Sequence, residues 1–254
     1  MTGGRFAGRP VDAVLFDYGL TLTTFVRPDA AIELAYAEIA GLLAARLGGP
    51  LPATADLVAG VHDVVEADVA AHEAAGLLEE IDIAASHVRA YAGLGFSVPA
   101  DVLDDVLLIE QRAWWEGVRV AADVPAVLGA LRRAGLRLGL CSNAPYHVPG
   151  VHAQLDHLGV RPLLDSVTLS AEVGWRKPAT PIFAAALASL GVDAGSALMV
   201  GDRLREDVEG AHRAGLAAVL LTEHRRDPGA PGEADAVLDH LARLPRLLGV
   251  GYDP

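Results

Sequence analysis

The chain has 254 residues, is 52% apolar and carries a formal net charge of -13 at pH 7. This length can bury a large core in one large or two modest domains. The acidic balance, with no basic cluster, excludes a nucleic-acid backbone as partner, because phosphates are bound through many Lys and Arg contacts.

A lone cysteine, Cys141, precludes an internal disulfide, and Met1–Pro10 lacks the apolar core of a signal peptide. No window approaches the ~18 consecutive apolar residues of a membrane span. The expected setting is the cytoplasm, and an anionic substrate must be held by a local device.

In chain order, Met1–Pro10 is rich in Gly and is expected to fray. The stretch VDAVLFDYGLTLTTF, Val11–Phe25, opens with strand formers that do not alternate with polar residues, which suits a strand buried on both faces. Asp17 stands at its carboxyl end. In open α/β sheets ligands bind there, where strand order reverses, so Asp17 is a candidate nucleophile or metal ligand, or else an acid that merely starts a turn.

From Pro28 the period changes. Ile32, Tyr36, Ile39, Leu43 and Leu47 share one helix face, which Gly48-Gly49-Pro50 terminates. Further helices are expected over Thr54–His72 and Ile83–Ala92. Another opens at Pro99, with Val102, Val106, Ile109 and Ala113 at helical spacing before Trp114-Trp115. Residues 27–118 contain no convincing strand and read as a helical insertion after the first strand.

Regular alternation follows. A helix over Asp123–Ala134 precedes a strand, Leu136–Cys141, that reaches Ser142 and Asn143. Val167–Leu169 is a short strand, Pro178–Leu190 a helix, and Ala197–Val200 a strand ending at Gly201-Asp202. A helix over Arg203–Ala214, a strand over Leu216–Leu221, the Pro/Gly-rich surface stretch Asp227–Gly232, a strand at Ala236–Leu238 and a closing helix complete the chain. The fold class expected is α/β, a doubly wound parallel sheet of Rossmann-like type built from 11–26 and 119–250.

Four strand ends or loops carry polar groups: Asp17, Ser142 with Asn143, Lys177, and Asp202 with Asp207. Lys177 is the single lysine among 20 basic residues, as suits a position that needs a compact ammonium, although one survivor also fits chance. Taken singly, Ser142 can cap a turn and Asp207 can be a solvated helix residue. Gathered on one sheet edge, the set suits phosphoryl transfer. Two acids at separate strand ends can share an octahedral Mg²⁺. A hydroxyl, backbone N–H groups and one ammonium can take the remaining phosphate oxygens.

Asp17 in FDYGLTL, Ser142 in LGLCSNA, Lys177 in GWRKPATPIF, and Asp202 with Asp207 in MVGDRLREDVEGAHRAGL resemble, in order, the four motifs of the haloacid dehalogenase superfamily. The helical insertion is similar to that family's helical cap, and the resemblance runs from Val11 to Leu248. It implies a Mg²⁺-dependent phosphatase acting on a small phosphorylated metabolite, with Asp17 forming an aspartyl-phosphate. Asp17, Asp202 and the Gly19 carbonyl would hold the metal, steadied by Asp207. Ser142 and Asn143 would bind the phosphoryl group, and Lys177 would neutralise it while pairing with Asp17.

One departure stands out. The family's phosphatases usually place a second Asp two residues after the nucleophile, to protonate the leaving group and then activate water; here that position is Gly19. General acid–base catalysis is worth roughly 10²- to 10⁴-fold. His62, His72, His87 and Glu79 of the insertion are candidates to replace it, set against a plain reading as solvated helix residues.

Other branches fit less well. A metal-independent dehalogenase does not need the Asp202/Asp207 pair, and a phosphonate-cleaving enzyme needs a cap lysine that the insertion lacks. A non-catalytic protein that binds phosphate and metal is the remaining alternative, and Gly19 is its best support.

Overall fold

The computed structural model describes residues 4–48, 50–226 and 233–252; Gly49 and the Asp227–Gly232 stretch lie outside them. The segment expected to fray is ordered from Gly4. Strands β1 (Gly4–Phe6) and β2 (Arg9–Val11) form an antiparallel hairpin. Ala7 and Gly8 close it at φ 49° and 81°, the pair of left-handed residues that a type I′ hairpin turn requires. Phe6 and Val11 bury its apolar side.

Strand β3 (Ala13–Phe16) is buried at all four positions. Next come β4 (Thr23–Phe25) and β5 (Val118–Val120), which pair with each other as a small sheet. The remaining strands are β6 (Arg137–Ser142), β7 (Ser166–Leu169), β8 (Ala197–Gly201), β9 (Ala217–Leu221) and β10 (Ala236–Leu238).

The main sheet has six parallel strands in the order β10-β9-β8-β3-β6-β7. From β3 the chain runs outward through β6 and β7, then returns to the other side of β3 for β8, β9 and β10. The order therefore reverses at β3, and Asp17 leaves it there. Helix Thr180–Leu190 covers one face, packing Ile182, Phe183 and Ala186 with Ala13, Leu15, Met199 and Ala218.

The chain divides into two compact units: Met1–Phe25, Arg119–Ala144 and Leu155–Pro254 form the first, Val26–Val118 and Pro145–Gln154 the second. Pro145–Gln154, assigned above to the sheet-bearing part, thus groups with the helices. It enters helix Val148–His157, which the sequence pattern did not signal.

The second unit contains helices Asp29–Leu47, Thr54–Leu57, Asp63–Ala74, Ile83–Gly93 and Ala100–Ala113. A π-type turn, Val58–His62, joins the second of these to the third. Ile32, Tyr36, Ile39 and Leu43 bury the expected stripe of the first helix against Leu57, Tyr91 and Val106.

Candidate active site

The lone lysine sits at the centre of the polar cluster. Lys177 Nζ donates to Asp17 Oδ1 at 2.6 Å and to Asp207 Oδ1 at 2.6 Å, and Ser142 Oγ donates to Asp17 Oδ1 at 3.1 Å. Among the described residues Asp17 Oδ2 accepts no hydrogen bond, so one oxygen is fixed and the other keeps its lone pairs. The Lys177 side chain is 2% exposed. Burial opposes its charge, but Asp17 and Asp207 outweigh burial and raise its pKa, so it stays an ammonium.

Backbone geometry holds these groups in place. The Asn143 amide grips the main chain of Lys177, accepting from its N–H at 2.7 Å and donating to its carbonyl at 3.1 Å. The Asn143 side chain thus positions the lysine. Ala144 N–H donates to Ser170 Oγ at 2.7 Å, which anchors the loop beyond Ser142. Asp207 lies over Gly201 so closely that a Cβ there would stand 2.1 Å from its Cγ. Only glycine fits that strand end. Asp207 Oδ2 also accepts from Arg203 N–H at 3.0 Å.

Asp17, Asp202 and Asp207 are buried and each offers a carboxylate oxygen within 4.8 Å of the others. Burial, then the charges of Asp17 and Asp207, push the Asp202 carboxyl up to about 7 against the pull of Arg225 and Arg203. Burial also raises that of Asp207, though Lys177 opposes it. The three carboxylates present an all-oxygen donor set. That chemistry fits a hard divalent cation such as Mg²⁺.

Two contacts were not foreseen from the sequence. Arg225 Nε donates to Asp202 Oδ2 at 2.6 Å. The other involves Gly19, whose φ lies outside the left-handed region. It lacks a side chain for a different reason: a Cβ there would stand 2.6 Å from Phe25 Cζ. An aromatic ring thus fills the space beside the residue two after Asp17. Leu20 closes the same turn by donating its N–H to Thr23 O at 2.6 Å, at φ 58°. That conformation costs an L-residue roughly 1–2 kcal/mol.

The candidate replacements for the missing acid are placed differently from each other. His62 and His87 are not solvated but buried in the helical unit, where Glu110 joins them: His62 Nδ1 lies 2.6 Å from Oε1 and His87 Nε2 2.6 Å from Oε2. Tyr36 Oη donates to the same carboxylate at 3.0 Å. His72 Nε2 is 2.7 Å from the Glu79 carbonyl, and the side chain of Glu79 is exposed.

Residues 11–215 match the haloacid dehalogenase-like hydrolases. The chain belongs to that family. Over 134 residues it is 39% identical to a phosphoglycolate phosphatase of Rhodospirillum rubrum, covering 52% of this chain and 54% of that one. A glyceraldehyde 3-phosphate phosphatase of Methanothermobacter thermautotrophicus is 35% identical over 127 residues, 46% of this chain and 54% of its own. The chain thus spans about half the length of the curated relatives it matches.

Among solved structures, a 2-haloacid dehalogenase from Pseudomonas syringae pv. Tomato superposes with a TM-score of 0.67 at 21% identity, over 94% of this chain and 98% of that one. At that identity the likeness shows a shared haloacid dehalogenase fold. Among the described residues no helix is long and apolar enough to cross a membrane.

Proposed function

We propose that the protein is a Mg²⁺-dependent phosphatase of small phosphorylated metabolites, working in the cytoplasm through an aspartyl-phosphate on Asp17. The observation that carries this reading is the Asp17 carboxylate at the sheet's reversal point, with Oδ1 fixed by Lys177 and Ser142 and Oδ2 unengaged. The sequence relatives named above, both phosphatases, support it.

Asp17 and Asp202 would hold the metal, with Asp207 beside them and the Gly19 carbonyl as a further oxygen. When bound, Mg²⁺ would neutralise charge on the phosphoryl oxygens and orient them. Asp17 Oδ2 attacks phosphorus while the bond to the leaving oxygen breaks and that oxygen departs with the electron pair. Lys177 and Ser142 hold the attacking carboxylate and the transferring group in line. Water then attacks the phosphorus of the aspartyl-phosphate, releasing inorganic phosphate and restoring Asp17.

Phosphate release from a panel of phosphate esters, with Mg²⁺ and with chelator, tests the reading. Turnover that needs metal and vanishes in Asp17→Asn is expected. Phe25 beside Gly19 favours a second reading, a binding protein without turnover. Tight metal and phosphate binding with no release from any ester would establish that one instead.

A further inference from the structure

Arg225 lies four residues past the end of β9, at the carboxyl edge of the sheet where Asp17 and Asp202 also emerge. Its Nε donates to Asp202 Oδ2 at 2.6 Å, and the side chains are 38% and 2% exposed respectively. Among the described residues its guanidinium makes no other hydrogen bond, which leaves both terminal nitrogens, a planar fork, for a ligand. Asp202 Oδ1 likewise accepts none. One oxygen of Asp202 orients the arginine and the other remains for a cation.

A guanidinium tethered through Nε has less rotamer freedom to lose when its fork engages an anion. The chain's net charge of -13 repels anions except where a cation is fixed. Lys177 is already committed to Asp17 and Asp207. Arg225, bonded to Asp202 through Nε alone among the described residues, keeps its terminal fork to spare.

We propose that Arg225 is a specificity-determining residue that binds a carboxylate of the substrate, so that the substrate class is small phosphorylated carboxylates. The inference rests on the phosphatase reading and sharpens it. Because Nε bonds the acid that would hold the metal, the fork lies close to the phosphoryl site, and the carboxylate belongs one or two carbons from the phosphoryl group. A carboxylate presents two coplanar oxygens that match the fork. It also brings a single negative charge to a site that already holds three acids, whereas a second phosphoryl group brings more.

Calorimetric binding of phosphonoacetate and ethylphosphonate, neither of which can be hydrolysed at oxygen, tests this in the presence of Mg²⁺. The wild type should bind phosphonoacetate about tenfold more tightly or better, as a charge-assisted bidentate contact implies. Arg225→Gln should abolish that preference, and Arg225→Lys, which keeps charge without the fork, should keep part of it. Equal binding of both phosphonates by wild type, or a preference that survives in Arg225→Gln, overturns the proposal. So does tighter binding of methylenediphosphonate than of phosphonoacetate. Turnover of phenyl phosphate reports separately on the phosphatase reading, since that ester carries no carboxylate for Arg225.

Discussion

The ring of Phe25 lies over Gly19, so close that a Cβ on Gly19 would meet its Cζ at 2.6 Å. No side chain two residues after Asp17 can then give a proton to a leaving group or take one from water. Phosphoryl transfer to Asp17 should depend steeply on leaving-group acidity, with acyl and aryl phosphates far outrunning alkyl phosphates, and the aspartyl-phosphate should accumulate.

Gly19→Asp alone must first turn the 45%-exposed ring aside. Combined with Phe25→Ala, it should raise alkyl phosphate turnover by roughly 10²-fold and flatten the dependence, a gain larger than the two single changes predict together. Single-turnover rates on an ester series, with acid-quenched trapping of protein-bound phosphate, measure this. A wild type with little leaving-group dependence and no trapped phosphate would show that an acid and base reach the site from elsewhere.

Lys177 bridges two acids with single-point contacts, which a planar guanidinium cannot reproduce in a site this buried. Lys177→Arg should therefore lose more than about tenfold in kcat although charge is kept. Activity within about twofold of wild type would return the lone lysine to chance.

Asp202→Asn removes one of three carboxylates and should weaken Mg²⁺ binding by about tenfold or more. Calorimetric metal titration at fixed pH gives the number. Equal affinities in the two proteins would place the metal elsewhere.

The sheet was legible because buried parallel strands read as short unbroken apolar runs, and because Asp17, Ser142 and Asp202 close three of them. The β1–β2 hairpin was not, since Arg5, Arg9 and Pro10 leave GRF and RPV without an apolar run. His62 was misread for a specific reason. It lies three residues before Val65 and seven before Val69, on the face that those residues bury, and its polar ring hid that from a reading by residue type. Phe25 and Arg225 meet Gly19 and Asp202 only through tertiary folding, and neither lies in a motif. The one hint in the sequence was the glycine at position 19 itself, where the family's phosphatases usually carry an aspartate.

His87 and Glu110 give the last prediction, which concerns stability. His87 Nδ1 donates to the Ile83 carbonyl at 2.8 Å and Nε2 donates to Glu110 Oε2, so both ring nitrogens carry protons and the pair is ionic. Burial opposes the His87 charge, but Glu110 outweighs it and raises the pKa above the usual 6.5. Burial likewise opposes the Glu110 charge, but His62 and His87 bring its carboxyl down to about 2.

A raised histidine contributes stability that is complete below 6.5 and lost as pH climbs through the folded value. A lowered carboxyl contributes stability that is complete above its ordinary 4.5 and lost as pH falls toward about 2. Both contributions are whole only between those ordinary values, in the mildly acidic range. Above it, neutral His87 turns a lone pair toward the carboxylate. His87→Gln should cost roughly 1–3 kcal/mol in mild acid, because it takes the charged partner from one oxygen of a buried carboxylate, and less in alkali, where wild type has already lost the ion pair. Urea unfolding of both proteins at mildly acidic and alkaline pH measures the two differences. Differences of equal size at both pH values would mean that His87 is neutral in the folded protein, and the pair only a hydrogen bond.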